Sequence, residues 1–286
     1  MSDCEAAIPV ASTLADAPDA TETDVERLQR CYGHLAAGPL LRAMIEVEFS
    51  GRIAVVSSFG AEAAVILALV AEIDPATPVI FLDTDKHFAE TLAYRDRLTA
   101  HLGLTDVRSI RPLAADLTSA DADGRLWERY PDACCHFRKV VPLERALAGF
   151  DAWITGRKRF HSGERADLDA IETVDSRIKI NPLANWSVTQ VASEFRARRL
   201  PRHPLVAHGY PSIGCAPCTS RVAGDGPARG GRWIGADKTE CGIHRAKWAR
   251  GDRAPVQEPI ATKSAGILKT RQHDEGEQRN RCRQDQ

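Results

Sequence analysis

The 286-residue chain is 43% hydrophobic and 27% charged, ordinary values for a water-soluble globular protein with room for one large domain or two small ones. Its formal net charge of -1 argues against nucleic acid or an anionic membrane as the main partner. It contains no run of eighteen apolar residues, and the first residues lack the basic and apolar stretches of a secretory signal, so no membrane partner and a cytoplasmic location are expected. Cytosolic thiols stay reduced, so its cysteine pairs point to metal binding or catalysis rather than to disulfides.

Residues 1–24 are small and polar, carry Pro9 and Pro18, and are expected to be disordered. Between Val25 and Phe49 the apolar spacing predicts one or two helices interrupted near Gly38-Pro39. An alternating α/β pattern follows. Strands are predicted at Ile53–Ser57, Pro78–Asp83, Asp106–Ile110 and Asp151–Gly156, separated by helices at Ala61–Ile73, Phe88–Leu102 and His136–Ala148. A further strand at Arg177–Ile180 precedes a helix from Val188 to about Arg199. Strands that read as continuous apolar runs between helices imply a doubly wound, mainly parallel sheet covered on both faces. Ligands of such sheets sit beyond the carboxyl ends of the strands.

The residues at those ends carry the first chemistry. Ser57-Ser58-Phe59-Gly60-Ala61-Glu62 runs from a strand into a helix, where backbone N–H groups and serine hydroxyls can cradle a phosphate. It lacks the Gly-Lys-Ser/Thr element of a Walker loop, and a capped strand–helix turn explains it equally well. The acids after Leu82 can face a ribose or cap a helix. Arg157-Lys158-Arg159 after Gly156 gathers three cations at one strand end, and an anion is the simplest reason to put them there. The arginines at 196, 198, 199 and 202 fit a solvated helix C-terminus instead.

Eight cysteines are present. Cys134-Cys135 and Cys215-x-x-Cys218 offer four thiolates, a set suited to zinc or an iron–sulfur cluster. Adjacent cysteines project in divergent directions, which suits separate irons better than one tetrahedral ion, and a helix expected just after Cys135 would aim its positive end at an anionic cluster. Cys4, Cys31 and Cys282 read as incidental. Gly224–Gly231 is expected to be a flexible linker, and 250–286 a polar, disordered tail.

The stretch Lys238-Thr239-Glu240-Cys241-Gly242-Ile243-His244 places a cysteine between two basic side chains, which would favour the reactive thiolate. Gly242 would leave room for a bulky electrophile. Cys241 is therefore the candidate nucleophile, although one cysteine near one histidine is a common accident.

Taken together, these motifs resemble the assimilatory adenylyl-sulfate (APS) reductases of the phosphoadenylyl-sulfate (PAPS) reductase family. The resemblance runs through Ser57–Glu62, Leu82-Asp83-Thr84, the two cysteine pairs, Thr155–Arg159, Asn181–Ala184, Gly209–Cys218, Arg229–Trp233 and Glu240–His244. It implies an adenine-nucleotide α-hydrolase-like fold and one 4Fe–4S cluster on Cys134, Cys135, Cys215 and Cys218. It also implies attack of Cys241 on the sulfur of APS, giving AMP and an S-sulfocysteine that thioredoxin or glutaredoxin resolves to sulfite, as a step of sulfate assimilation and cysteine biosynthesis. By motif position, Lys139, Arg229, Arg232 and His244 resemble phosphosulfate contacts, and Ser57, Ser58, Gly60, Leu82 and Gly156 resemble nucleotide contacts. The domain reading is a nucleotide- and cluster-binding body over 25–223 and a mobile catalytic segment over 224–249. His161-Ser162 departs from the glutamine–serine usual in the family, which leaves the role of Arg165 open. Reduction of PAPS, alone or beside APS, is the nearest rival function. A vestigial iron–sulfur sensor is a distant one, and an ATP-pyrophosphatase lacks support because the fuller Ser-Gly-Gly loop is missing. Oligomeric state stays open, a homo-oligomer included.

Overall fold

The computed structural model describes residues 23–244 except 162 and 225. Among them six strands form one sheet: β1 (Ile53–Val56), β2 (Val79–Leu82), β3 (Val107–Ile110), β4 (Ala152–Ile154), β5 (Ile171–Val174) and β6 (Arg177–Ile180). Their order is β3-β2-β1-β4-β6-β5, parallel throughout except for the antiparallel β5–β6 pair. The doubly wound sheet is as expected. β5 is an addition, reached through a two-residue hairpin in which Asp175 and Ser176 both take left-handed backbone angles.

The strands alternate between two apolar layers. Ile53, Val55, Val79, Phe81, Ile154 and Ile180 face a large core. That core includes residues of α1 (Asp24–Tyr32), α2 (Ala37–Arg42), α3 (Ala63–Ala71), α4 (Ala89–Leu102) and α9 (Val188–Ala197). Ala54, Val56, Ile80, Leu82 and Trp153 face a smaller one closed by Leu143 and Leu147. Both faces of the central strands are thus removed from water, which is why β1, β2 and β4 carry no polar residue.

Four local expectations change. The break in the first helical stretch falls at 33–36, and Gly38-Pro39 sits in the first turn of α2, where a missing N–H costs no helix hydrogen bond. Two short helices not expected from the sequence, α5 (Ala114–Ala120) and α6 (Leu126–Arg129), follow β3. The cysteine pair does not precede a helix: α7 (Pro131–Cys135) carries both cysteines, widens into a π-helical turn at His136–Val140, and continues as α8 (Val141–Ala146). Cys134 and Cys135 therefore lie at the end of α7 rather than before a helix start, whereas Cys215 is the N-cap of a short 3-10 turn at Ala216–Cys218. Pro131 opens α7, where its missing N–H costs no helix hydrogen bond.

A fourth difference is local: 227–231, within the stretch expected to be a linker, forms a hydrogen-bonded turn. Gly230 N–H donates to Pro227 O at 2.7 Å, and Ser220 N–H to Gly231 O at 2.7 Å. A methyl group on Gly231 would overlap the Ser220 carbonyl, so glycine is required there by close approach. Of the expected termini, Thr23 and Asp24 already cap and open α1, while 1–22 and 245–286 lie outside the described residues.

Candidate active site

Strand order reverses between β1, which leads toward β2 and β3, and β4, which leads toward β6. A cavity of about 200 Å³ opens at that switch point, beyond the carboxyl ends of the strands. All nine nucleotide- and phosphosulfate-contact candidates line it, Ser57, Ser58, Gly60, Leu82, Lys139, Gly156, Arg229, Arg232 and His244, together with the candidate nucleophile Cys241.

The loop after β1 forms one wall. Phe59 N–H donates to Ser57 Oγ at 3.2 Å, and Phe59 adopts a left-handed backbone that turns the chain toward α3. A Cβ on Gly60 would lie 3.0 Å from the Ile213 carbonyl oxygen, so the loop before the cysteine knuckle packs directly on this turn. On the opposite wall a Cβ on Gly156 would press on Ile66 at 3.2 Å. Two glycines thus set the cleft's width from both sides.

Cations dominate the lining. Lys139, Arg157, Lys158, Arg165, Arg229 and Arg232 all border the cleft, against Glu62 as the one acid among the lining residues. Lys158 donates to Glu62 at 2.8 Å, and His161 lies 3.0 Å from the same carboxylate. Burial pushes the Glu62 carboxyl up, but His161 and Lys158 outweigh it and hold the group at about 2. Burial also lowers His244 well below the usual histidine range, reinforced by Lys179, Arg157, Arg165 and Arg229, so it enters the site as a neutral imidazole. His244 Nδ1 is buried without a hydrogen-bond partner among the described residues, and its ring stacks parallel to Trp153 at 6.2 Å.

Cys241 sits partly buried at the cleft edge. The cation beside its sulfur is Lys139, whose Nζ donates to Sγ at 3.6 Å. Lys238, expected to serve the thiolate, forms a buried ion pair with Asp132 and also contributes, less than Lys139, to lowering the Cys241 thiol. The Cys241 thiol is held well below the ordinary range, first by a hydrogen bond from Cys135, then by Lys139 and the Ile243 N–H. Gly242 also has a different reason from the expected one. A Cβ there would meet Val140 Cγ2 at 3.2 Å and Cys135 Cβ at 3.3 Å, so it lets the segment lie flat on the helix that carries the cysteine pair.

Cys134, Cys135, Cys215 and Cys218 line one small cavity together with Arg138, Lys139 and Trp233. Burial, and after it the nearby Cys215 and Cys218, push the Cys134 thiol up to about 12. Among the described residues no three His, Cys, Asp or Glu side chains are arranged to hold a single metal ion. The four thiols fit a sulfur-ligated group on donor chemistry and convergence.

The missed element is Glu240. It is 1% exposed, and Arg165 grips it through Nε at 3.0 Å and Nη2 at 2.7 Å to each carboxylate oxygen. Arg157 Nε lies 3.8 Å away, and Arg229 also reaches the carboxylate. Glu240 was quoted in the Glu240–His244 motif, but no role was read for it. The role of Arg165, left open by the motif departure, is this contact.

Residues 52–221 match the phosphoadenosine phosphosulfate reductase domain. The chain is 50% identical over 231 residues to an adenosine 5'-phosphosulfate reductase of Mesorhizobium japonicum, covering 81% of this chain and 91% of that protein. It is 39% identical to a phosphoadenosine 5'-phosphosulfate reductase of Gloeobacter violaceus, covering 78% and 94% respectively. Among solved structures it is similar to the phosphoadenylyl-sulfate reductase of Candida auris in a phosphate complex, with a TM-score of 0.58 and 27% identity over 69% of this chain and 96% of that one. The chain belongs to the phosphoadenosine phosphosulfate reductase family.

Proposed function

We propose that this chain is a thiol-dependent adenylyl-sulfate reductase. The observation that carries the reading is the convergence, in one cleft, of a phosphate-type loop, a surplus of cations and the Lys139–Cys241 pair. The thiolate of Cys241 attacks the sulfur of APS, an S–S bond forms, and the bond between sulfur and the bridging oxygen breaks. AMP leaves as a stable phosphate anion, so no general acid is required. The need is to stabilise charge that shifts from the sulfonate onto the phosphate, and fixed cations in a water-poor cleft do so. Lys139, Arg229 and Arg232 are placed for that task, with His244 as a neutral donor. Ser57, Ser58 and Gly60 offer the phosphate hydrogen bonds, while Leu82 and Gly156 flank the nucleoside.

Thioredoxin or glutaredoxin then attacks Cys241 Sγ, sulfite departs, and the second thiol of the donor resolves the mixed disulfide. This supplies the two electrons. For a protein donor to reach that sulfur, the segment 224–244 has to lift from the cleft, a motion of the kind that limits many enzymes.

Cys134, Cys135, Cys215 and Cys218 would hold one 4Fe–4S cluster, which when bound tunes the charge around the phosphosulfate. Lys139 borders both the cysteine cavity and the substrate cleft, so it joins the two electrostatically. No described helix is long and apolar enough to cross a membrane.

The test is mass spectrometry of anaerobically purified protein after exposure to APS without reductant. A sulfonate adduct confined to the Cys241 peptide and released as sulfite by thioredoxin supports the reading. Absence of an adduct in iron-loaded protein overturns it. The cation surplus and the Gloeobacter relative favour PAPS as a rival or second substrate, and the same assay with PAPS ranks the two.

A further inference from the structure

Cys241 has no regular secondary structure on its N-terminal side, and only a short 3-10 turn at Gly242–His244 follows it among the described residues. Something other than a helix or a strand must fix where its sulfur points. Two buried ion pairs flank it, Lys238 with Asp132 of α7 and Glu240 with Arg165. The second is the more demanding contact. The side chains of Glu240 and Arg165 are 2% and 8% exposed, and the fork geometry fixes the carboxylate in direction as well as distance. Arg157, at the end of β4, approaches from the sheet. Arg229 closes from within the segment itself and donates to Thr239 O at 2.7 Å.

We infer that Glu240 is a positioning residue whose carboxylate, gripped by Arg165 and Arg157, docks the segment and aims the Cys241 thiol into the cleft. The inference deepens the reductase reading and rests on it for the identity of the electrophile. Glu240 directly precedes the nucleophile in the chain, so anchoring its side chain restrains the backbone from which the Cys241 side chain projects. Burial pushes its carboxyl up, yet Arg165, Arg229 and Arg157 bring it below the ordinary range, so it remains an anion in the closed site.

A second consequence separates positioning from simple structural support. Arg157, Arg165 and Arg229 all border the cleft that would receive a doubly charged nucleotide. Glu240 neutralises part of this trio. Removing its charge loosens the cysteine while leaving the cleft more positive, so attack should slow although nucleotide binding does not weaken. A merely structural residue would degrade both.

The test uses full-length, iron-loaded protein, its variants Glu240→Gln, Glu240→Asp and Arg165→Lys, and melting curves to establish folding. Three quantities are read: the single-turnover rate of the Cys241 sulfonate adduct with APS, the affinity for AMP, and the rate of Cys241 alkylation by iodoacetamide followed on its peptide. Glu240→Gln is expected to slow adduct formation about 100-fold, in line with the cost of misplacing a reacting atom by an ångström. AMP affinity should be unchanged or tighter, and alkylation faster. Glu240→Asp should recover part of the rate. Arg165→Lys keeps the charge but loses the fork, and should reproduce the faster alkylation if Glu240→Gln does not fold. Alkylation at the wild-type rate in both Glu240→Gln and Arg165→Lys overturns the inference, as does a parallel loss of adduct rate and AMP affinity. If wild-type protein forms no adduct with APS, the reductase reading falls, while the alkylation rates still decide whether Glu240 docks the segment.

Discussion

Lys139 Nζ lies 3.6 Å from Cys241 Sγ, a contact between residues 102 positions apart in the chain. The lysine reaches it from the widened turn that follows the cysteine pair, and this single ammonium borders both the cysteine cavity and the cleft. Lys139→Met should slow adduct formation by about 100-fold, on the order of 3 kcal/mol for the loss of a preorganised charge at the reacting centre. Lys139→Arg should fall between, since a planar fork cannot occupy the same point. Rapid-quench mass spectrometry of the Cys241 peptide decides it, and an undiminished rate in Lys139→Met would remove the lysine from the mechanism.

Gly214 precedes the first cysteine of the Cys-x-x-Cys knuckle, and a methyl group there would overlap the Arg232 guanidinium. That obstacle is the far end of a flexible side chain, so Gly214→Ala should fold, with a melting midpoint close to wild type. Arg232 would be displaced from the phosphosulfate position. The expected result is a roughly tenfold rise in KM for APS, about 1.4 kcal/mol, and a much smaller change in AMP affinity. Equal weakening for both nucleotides would place Arg232 on the nucleotide phosphate instead.

Arg138 and Asp121 form a bidentate pair whose side chains are 5% and 0% exposed, and Arg138 Nη1 also donates to Thr84 O at 2.8 Å. The pair ties the cysteine-bearing helix to the chain just past β2. Arg138→Met leaves Asp121 buried and unpaired, and should cost about 3–5 kcal/mol in urea unfolding. A cost under about 1 kcal/mol would mean that water reaches Asp121 freely.

His203 caps a short 3-10 turn: its Nδ1 accepts from Leu205 N–H at 3.2 Å, and its Nε2 pairs with Thr91 Oγ1 at 3.0 Å. Burial lowers its pKa from 6.5 to about 4. The folded state therefore resists protonation that the unfolded chain accepts. Its contribution is fully present above about pH 6.5 and is lost as pH falls toward 4. His87, His136 and His161 are lowered in the same direction, so the readout is a difference. Wild-type protein should lose more stability than His203→Gln between pH 7.5 and 4.5 in parallel melts, the buffer limits being about these values. Parallel curves would show that His203 does not titrate across the transition.

The sheet was legible because β1, β2 and β4 are short β-branched or apolar runs whose both faces are buried, and their length separates them from the equally apolar but longer α3. The hairpin to β5 escaped because Asp175-Ser176 is not the usual glycine-containing turn. The cysteine-bearing helix was placed five residues late because α7 is too short to show an apolar period: Ala133 and Cys134 join a small local cluster with Leu126, and Asp132 is buried for the Lys238 pair. Cleft residues were legible wherever they close a strand or sit in a tight motif. Glu240, Arg165 and the Lys238–Asp132 pair were not, because each joins residues at least 75 positions apart, and ion pairs of that range leave no periodicity to read.

The widened turn at His136–Val140 has its own arithmetic. Val141 N–H reaches back five residues to His136 O, where a regular helix would reach four. The turn therefore holds one residue in excess, and each residue of a helix advances its phase by about 100°. Deleting a single residue from 136–140 would leave both cysteines where they are and let an ordinary helix close. Lys139 would then leave the line toward Cys241 unless α8 rotated with it, and α8 is anchored by Leu143 against the sheet. The positions of the cysteine pair and of the Lys139 ammonium are thus indexed to each other by one inserted residue, and a chain one residue shorter at this point would keep the first while losing the second.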